Sequence, residues 1–170
     1  SLAADPHYWK TAWTLALTLC CIKASKAELE TKCAPLLELA RERRLKHACD
    51  LFARLLQLRH REFSRAQEAL GRDLIPTFRE INEPMMLFVD NIDEYFQDFL
   101  SEHGGTFLRN VTSDAWNHAQ AGLALAAREL HGINPHVRIY ASIRKEVMQL
   151  LGQTYAMSQQ LRGSAVDLAY

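Results

Sequence analysis

The sequence predicts an α/β fold in which helix predominates. The 170-residue chain contains only seven glycines and five prolines, which is little turn material for the many short strands of an all-β fold. Two short apolar runs, 85–89 and 137–142, each follow a proline break and are separated by a long segment with helical periodicity. Strands joined by a helix in this way form a βαβ crossover, so we expect the two runs to be parallel strands of one sheet.

The first predicted helix lies at the start of the chain. Asp5 followed by Pro6 is typical of a helix N-cap and the first helical position. Trp9 and Trp13 recur with the spacing of one helical face, and the apolar pattern continues to about Ile22. We therefore predict one helix to about Ile22, with both tryptophans as core anchors.

Two further helices are predicted within residues 1–72. Ser25 and Glu28 have the spacing of a capping box, which predicts a short helix ending near Cys33. The apolar pattern over 35–70 predicts one long helix, and Gly71 is its expected stop.

Residues 1–72 thus form a predicted helical segment, and residues 73–170 alternate helices with strands. Pro84 cannot donate a hydrogen bond and disfavours helix at the residue before it, so the apolar run after it starts afresh. Five continuous apolar residues suit a strand that is covered on both faces, although periodicity alone leaves a buried helix open. The predicted elements are helix 73–81, strand 85–89, helices 93–101 and 114–131, strand 137–142 and helix 145–161.

The bulk composition argues against several classes of protein. The formal net charge is zero, so no strong global field draws the chain to nucleic acid or to an anionic membrane. No apolar run approaches the roughly 18 residues that span a bilayer, and no secretory signal is evident. The four cysteines show no disulfide framework, so we expect reduced thiols and a cytoplasmic location. The abrupt ends of the chain suggest a piece of a longer protein.

An acidic turn follows the first apolar run. Asp90 comes directly after Val89, and Asp93 and Glu94 follow three and four positions later. Ligands of doubly wound sheets bind beyond the carboxyl ends of the strands, where Asp90 could hold hydrated Mg²⁺ beside a phosphate. Asp93 or Glu94 could then orient or deprotonate an attacking water. The alternative is a helix N-terminus whose dipole these carboxylates complement.

The run MMLFVDNIDE, residues 85–94, resembles the extended Walker B segment of STAND-type P-loop NTPases. That group includes NACHT domains and is related to AAA+ proteins. Ser142 ends the second apolar run and Arg144 follows it, much as a polar sensor residue and a following arginine do in the group. The alternative is that Ser142 only caps the last helix and that Arg144 is a surface cation. The resemblance implies that the chain is part of a doubly wound parallel-sheet P-loop NTPase core, with a large helical segment, and that its cofactors are ATP and Mg²⁺.

The same resemblance implies roles for individual residues and a function. Asp90 matches the magnesium aspartate, Asp93 and Glu94 the catalytic acidic pair, Ser142 the sensor and Arg144 the arginine after it. The implied function is an ATP-dependent molecular switch in a bacterial defence or regulatory assembly. Its implied partners are nucleotide and either further copies of itself or neighbouring protein domains.

The chief motif of that group is missing. Nothing in the chain fits the Walker A pattern G-x-x-x-x-G-K-[ST], so the loop that cradles the phosphates is absent. We expect this loop upstream of Ser1 in a longer protein, although a degenerate domain is the alternative. On either interpretation residues 1–170 alone are expected to be inactive.

Two other functions are open. Residues 35–70 could be the docking surface of a helical protein-interaction module, or a basic face that binds nucleic acid. Acidic residues interleave with the arginines there, so a solvated helix face is favoured over nucleic acid. Cys33, His47 and Cys49 match no ordinary zinc-ligand spacing, and structural cysteines are favoured.

Overall fold

The computed structural model describes residues 6–90, 92 and 113–154, and helix predominates among them. The two strands are short and both lie in the second half of the chain. The elements in chain order are α1 (Pro6–Ser25), α2 (Ala34–Arg41), α3 (Ala48–Leu56), α4 (His60–Ala69), a π-helical turn (Leu70–Leu74), α5 (Ile75–Arg79), β1 (Met85–Val89), α6 (Ser113–Ile133), β2 (Val137–Ala141) and α7 (Lys145–Thr154).

The two strands pair in parallel, as the sequence predicts. Met85 lies opposite Val137 and Val89 lies opposite Ala141, so the strands are in register over their whole length. Helix α6 connects them along the chain and packs against β2. The βαβ prediction is therefore confirmed for 85–89 and 137–141, and the possibility that Met85–Val89 lies inside a helix is excluded.

A buried asparagine fixes the start of both strands. The Nδ2 atom of Asn134 donates hydrogen bonds to the carbonyl oxygens of Phe78 and Ile81, at 2.8 and 2.9 Å. Its Oδ1 atom accepts one from the backbone amide of His136 at 2.9 Å. The end of α5, just before β1, is thereby joined to the turn that leads into β2. Because every polar atom of this 1% exposed side chain is used, its burial carries little cost.

Among the described residues, the sheet is covered on one face only. Met85, Leu87 and Val89 point to the core, whereas Met86 and Phe88 are 67% and 69% exposed. The expectation that both faces of β1 are covered is therefore wrong for this structure. Met85, Leu87 and Val89 pack with the main apolar cluster, to which α1 and α6 both contribute, and α6 contacts β2.

Helix α1 is the centre of the molecule. All residues from 12 to 22 are buried, which is the pattern of a helix that is surrounded by other elements. Helix α6 packs along it, and α3, α4 and α5 also contact it. The Trp13 ring stacks on Phe52 of α3, with 3.8 Å between the ring centroids, and its Nε1 donates to the carbonyl oxygen of Ala119 in α6 at 2.9 Å. The prediction that Trp9 and Trp13 are core anchors is confirmed, since both are 1% exposed.

Helices α1 and α6 are in close contact at a glycine. A Cβ atom added to Gly122 would lie 2.8 Å from the backbone N of Lys10 and 2.8 Å from the carbonyl carbon and the Cβ of Trp9. Such distances are shorter than van der Waals contact, so only glycine allows the two backbones to pack this closely.

The short helix predicted from Ser25 does not form, because Ser25 caps the preceding helix instead. Its Oγ donates to the carbonyl oxygen of Ile22 at 3.0 Å and accepts from the amide of Ala27 at 3.3 Å. Lys26 adopts φ 57°, the left-handed conformation that ends helices. Serine side chains that bond the local backbone compete with helix in this way. The chain then runs without helix to Cys33.

The long helix predicted over 35–70 is broken into α2, α3 and α4. Lys23 of α1 ends α2, because its Nζ donates to the carbonyl oxygens of Leu39, Ala40 and Glu42 at 2.9, 2.7 and 3.0 Å. These carbonyls are the ones that a helix leaves unpaired at its C-terminus. A tertiary contact thus supplies the stop that no glycine or proline signals in the sequence.

Gly71 does not stop the helix as predicted. Helix α4 continues through the π-helical turn Leu70–Leu74 directly into α5. Pro76 lies in the first turn of α5 and has no amide hydrogen to donate. The wider turn accommodates this interruption of the regular hydrogen-bond ladder without ending the helix.

We predict that Gly122→Ala destabilises the chain, because the added methyl group meets the backbone of α1 at a cost of about 1–3 kcal/mol. This cost should exceed the roughly 1 kcal/mol by which alanine favours helix over glycine. Gly132→Ala is the matched control, since it lies in the same helix with nothing within 4 Å of an added Cβ. Chemical denaturation measures both variants, and equal midpoints would contradict the close crossing.

Candidate functional site

The carboxyl ends of the two strands bring Asp90 and Ser142 to one edge of the sheet. Val89 and Ala141 are the last paired residues, and the amide of Ser142 donates to the carbonyl oxygen of Val89 at 3.0 Å. Asp90 and Ser142 therefore follow neighbouring parallel strands at matching positions. Both residues are exposed. An oxygen-rich edge of this kind is where ligands of parallel sheets bind.

Arg144 lies two residues beyond Ser142, at the start of α7. Its carbonyl oxygen accepts hydrogen bonds from the amides of Val147 and Met148, at 3.1 and 3.4 Å. Its own amide donates to Oε1 of Gln120 in α6 at 2.9 Å. Hydrogen bonds to both its amide and its carbonyl oxygen thus hold the main chain of Arg144. The residue is nevertheless exposed to solvent.

The other two predicted catalytic residues, Asp93 and Glu94, lie outside the described residues. Ile92, which immediately precedes them, is described: it is helical and 4% exposed, and it packs with the main core. The chain therefore returns to the core two residues after Asp90.

Gln120 is a residue of this site that the sequence analysis missed. It is 1% exposed, and it is the only polar side chain between 119 and 127. A single side-chain amide within such an apolar stretch indicates a buried hydrogen bond, because a buried polar group requires a partner. The partner itself, the amide of Arg144, could not be identified from sequence spacing.

The donor atoms at the strand ends suit a hard cation. Mg²⁺ prefers oxygen ligands and usually keeps several waters, so one or two protein oxygens and a phosphate suffice. The carboxylate of Asp90 offers oxygens of this kind. Within the described residues no group of three or more His, Cys, Asp or Glu side chains could hold a metal by itself.

The cysteines are structural thiols in this fold. Cys20, Cys21 and Cys33 are buried, Cys49 is partly buried, and His47 is exposed at the start of α3. Burial raises the pKa of Cys20 to about 11, and those of Cys21 and Cys49 to about 12. These three thiols therefore stay protonated at neutral pH, which disfavours both metal binding and nucleophilic chemistry.

The basic helical region exposes its arginines and buries its apolar side chains. Arg43, Arg54 and Arg61 are exposed to solvent, as predicted. Arg54 and Arg59 form ion pairs with Glu42 and Glu62. Four apolar residues of the same region are buried, namely Leu45, Phe52, Leu55 and Leu56.

No helix in the described part of the chain is long and apolar enough to cross a membrane. Comparison with known proteins gives no match to a protein family, to a curated protein or to a solved structure.

We predict that stability falls above pH 9 in part through Cys21. Burial raises the pKa of the Cys21 thiol from the ordinary value of 9.0 to about 12. Between pH 8 and 10 the thiol therefore loses its proton only in the unfolded chain. Ionisation then stabilises the unfolded state by about 1 kcal/mol at pH 10. Guanidinium unfolding at pH 8 and 10 should show a smaller loss of stability for Cys21→Ala than for the parent. Identical losses would contradict the raised pKa.

Proposed function

We propose that this chain is part of an ATP-dependent molecular switch with a P-loop NTPase core. The observation that carries the proposal is the position of Asp90 and Ser142 at the carboxyl ends of adjacent parallel strands. That arrangement supports the resemblance of 85–94 to a Walker B segment, because it is the place where such cores bind phosphate and magnesium.

The proposal gives each residue at the strand ends a chemical task. Asp90 holds the water shell of Mg²⁺, which neutralises charge on the phosphates when it is bound. Asp93 or Glu94 orients or deprotonates the attacking water. The hydroxyl of Ser142 and the guanidinium of Arg144 detect or stabilise the γ-phosphate.

The proposal requires a phosphate-binding loop that residues 1–170 do not contain. The backbone amides and the lysine of such a loop supply most of the affinity for the nucleotide phosphates. The 170-residue chain alone should therefore bind ATP weakly or not at all. The protein that carries the loop is the one in which hydrolysis is to be measured.

We predict a split between binding and turnover in that protein. Asp93→Asn and Glu94→Gln should leave ATP binding largely intact, while at least one of them abolishes phosphate release, because a base acts on rate and not on the phosphate cradle. Asp90→Asn should weaken binding that depends on Mg²⁺. Arg144→Ala should slow hydrolysis, and Arg43→Ala, an exposed arginine elsewhere, is the control.

The measurements are nucleotide affinity with and without Mg²⁺ and phosphate release at saturating ATP. If all four substitutions at the strand ends leave hydrolysis as in the parent, the acidic turn is only a helix N-terminus. The proposed function is then wrong.

A second candidate function is a protein-interaction module, and the open face of the sheet favours it. Met86, Phe88 and Tyr140 are 67%, 69% and 48% exposed, and the last two rings stack with 5.2 Å between centroids. Parallel sheets are normally covered on both faces by helices. The partner that this surface fits is therefore an amphipathic helix that lays its apolar side across the strands.

We predict that a synthetic amphipathic helix of leucine and lysine binds this face. Fluorescence anisotropy of the labelled peptide should show at least fivefold weaker binding to Phe88→Ser, because an apolar anchor at an interface contributes about 1–3 kcal/mol. Gln67→Ser changes an exposed residue of α4 and should bind like the parent. Equal affinities for all three proteins would exclude this candidate.

A further inference from the structure

Gln120 is a buried amide whose position is fixed from the core. It is 1% exposed and lies in α6 beside Ala119, whose carbonyl oxygen accepts the hydrogen bond from Trp13 Nε1 at 2.9 Å. Consecutive residues of α6 are therefore tied to the central helix and, through the Gln120 side chain, to the turn after β2. The Oε1 atom of Gln120 has little freedom to follow a movement of that turn.

The turn from Ser142 to Arg144 is held at three successive residues. The amide of Ser142 donates to Val89 of β1 at 3.0 Å, and the amide of Arg144 donates to Oε1 of Gln120 at 2.9 Å. Ile143 between them is partly buried and packs against both apolar clusters. The side chains on either side of Ile143 belong to exposed residues at the sheet edge. Strand β1 and helix α6 thus fix the backbone positions from which the side chains of Ser142 and Arg144 extend.

We infer that Gln120 is a positioning residue for the candidate site: it sets the backbone from which Ser142 and Arg144 act on the nucleotide. This inference rests on the proposed function. Gln120 acts through the main chain of Arg144. A misplaced Arg144 guanidinium lowers the rate of hydrolysis more than the affinity for ATP, when its contact with the nucleotide is made mainly in the transition state.

The test compares Gln120→Met with Gln120→Glu in the protein that carries the phosphate-binding loop. Methionine has a similar length but only a weak acceptor, so the amide of Arg144 loses its partner. Glutamate keeps an oxygen acceptor at the same place. We expect Gln120→Met to speed hydrogen exchange of the Arg144 amide and to lower kcat, each about two- to tenfold, since one hydrogen bond contributes roughly 0.5–1.5 kcal/mol. KM for ATP should change less than twofold, and Gln120→Glu should restore most of the amide protection and of kcat.

A general loss of stability is separated from positioning by Lys23→Met. This control removes the three hydrogen bonds from Lys23 Nζ to the C-terminal end of α2 and its cap. It should lower the unfolding midpoint without changing exchange at Arg144 or kcat. If it lowers kcat as much as Gln120→Met does, the positioning role is overturned.

The remaining outcomes distinguish this inference from the proposed function. If the parent hydrolyses ATP and Gln120→Met has the same kcat or the same exchange at Arg144, the positioning role is overturned while the proposed function stands. If the parent itself does not hydrolyse ATP, the proposed function fails and the positioning role fails with it.

Discussion

The close contact between α1 and α6 at Gly122 is the constraint on which the rest of the structure depends. The missing Cβ lets the α6 backbone reach Trp9 and Lys10, and the same approach puts the carbonyl oxygen of Ala119 within 2.9 Å of Trp13 Nε1. Helix α6 also connects the two strands along the chain. The closeness of α6 to α1 therefore decides where the sheet lies. It also decides the position of the sheet edge that carries Asp90 and Ser142.

The helical part of the chain is organised by the same central helix. Trp13 stacks on Phe52 and so packs α3 against α1. Lys23, near the other end of α1, donates hydrogen bonds to the carbonyl oxygens at the end of α2. Both contacts use polar or aromatic groups whose geometry is specific, so they place the helices as well as stabilise them. The breaks between α2, α3 and α4 are thus consequences of docking onto α1.

The parallel pairing of β1 with β2 creates two different surfaces. Parallel registration places Asp90 beside Ser142 at the edge, and it also places Phe88 beside Tyr140 on the uncovered face. The first surface offers oxygen atoms suited to a phosphate-bound cation, and the second offers apolar area suited to a helix. The two proposed functions, an ATP-dependent switch and a protein-interaction module, would therefore use neighbouring parts of the same two strands.

The sequence by itself determined the elements whose signals are local. Pro84 and Asn134-Pro135 begin the strands because they remove helix as an option, and the spacing of Trp9 and Trp13 marks a buried helix face. Tertiary structure decided where Lys23 ends α2, which face of β1 stays open, and what Gln120 binds. The partners in these contacts are far apart along the chain, 19 residues from Lys23 to Glu42 and 24 from Gln120 to Arg144. Local spacing carries no information about such pairs, because only the packing of α6 on α1 and on the sheet brings their atoms together.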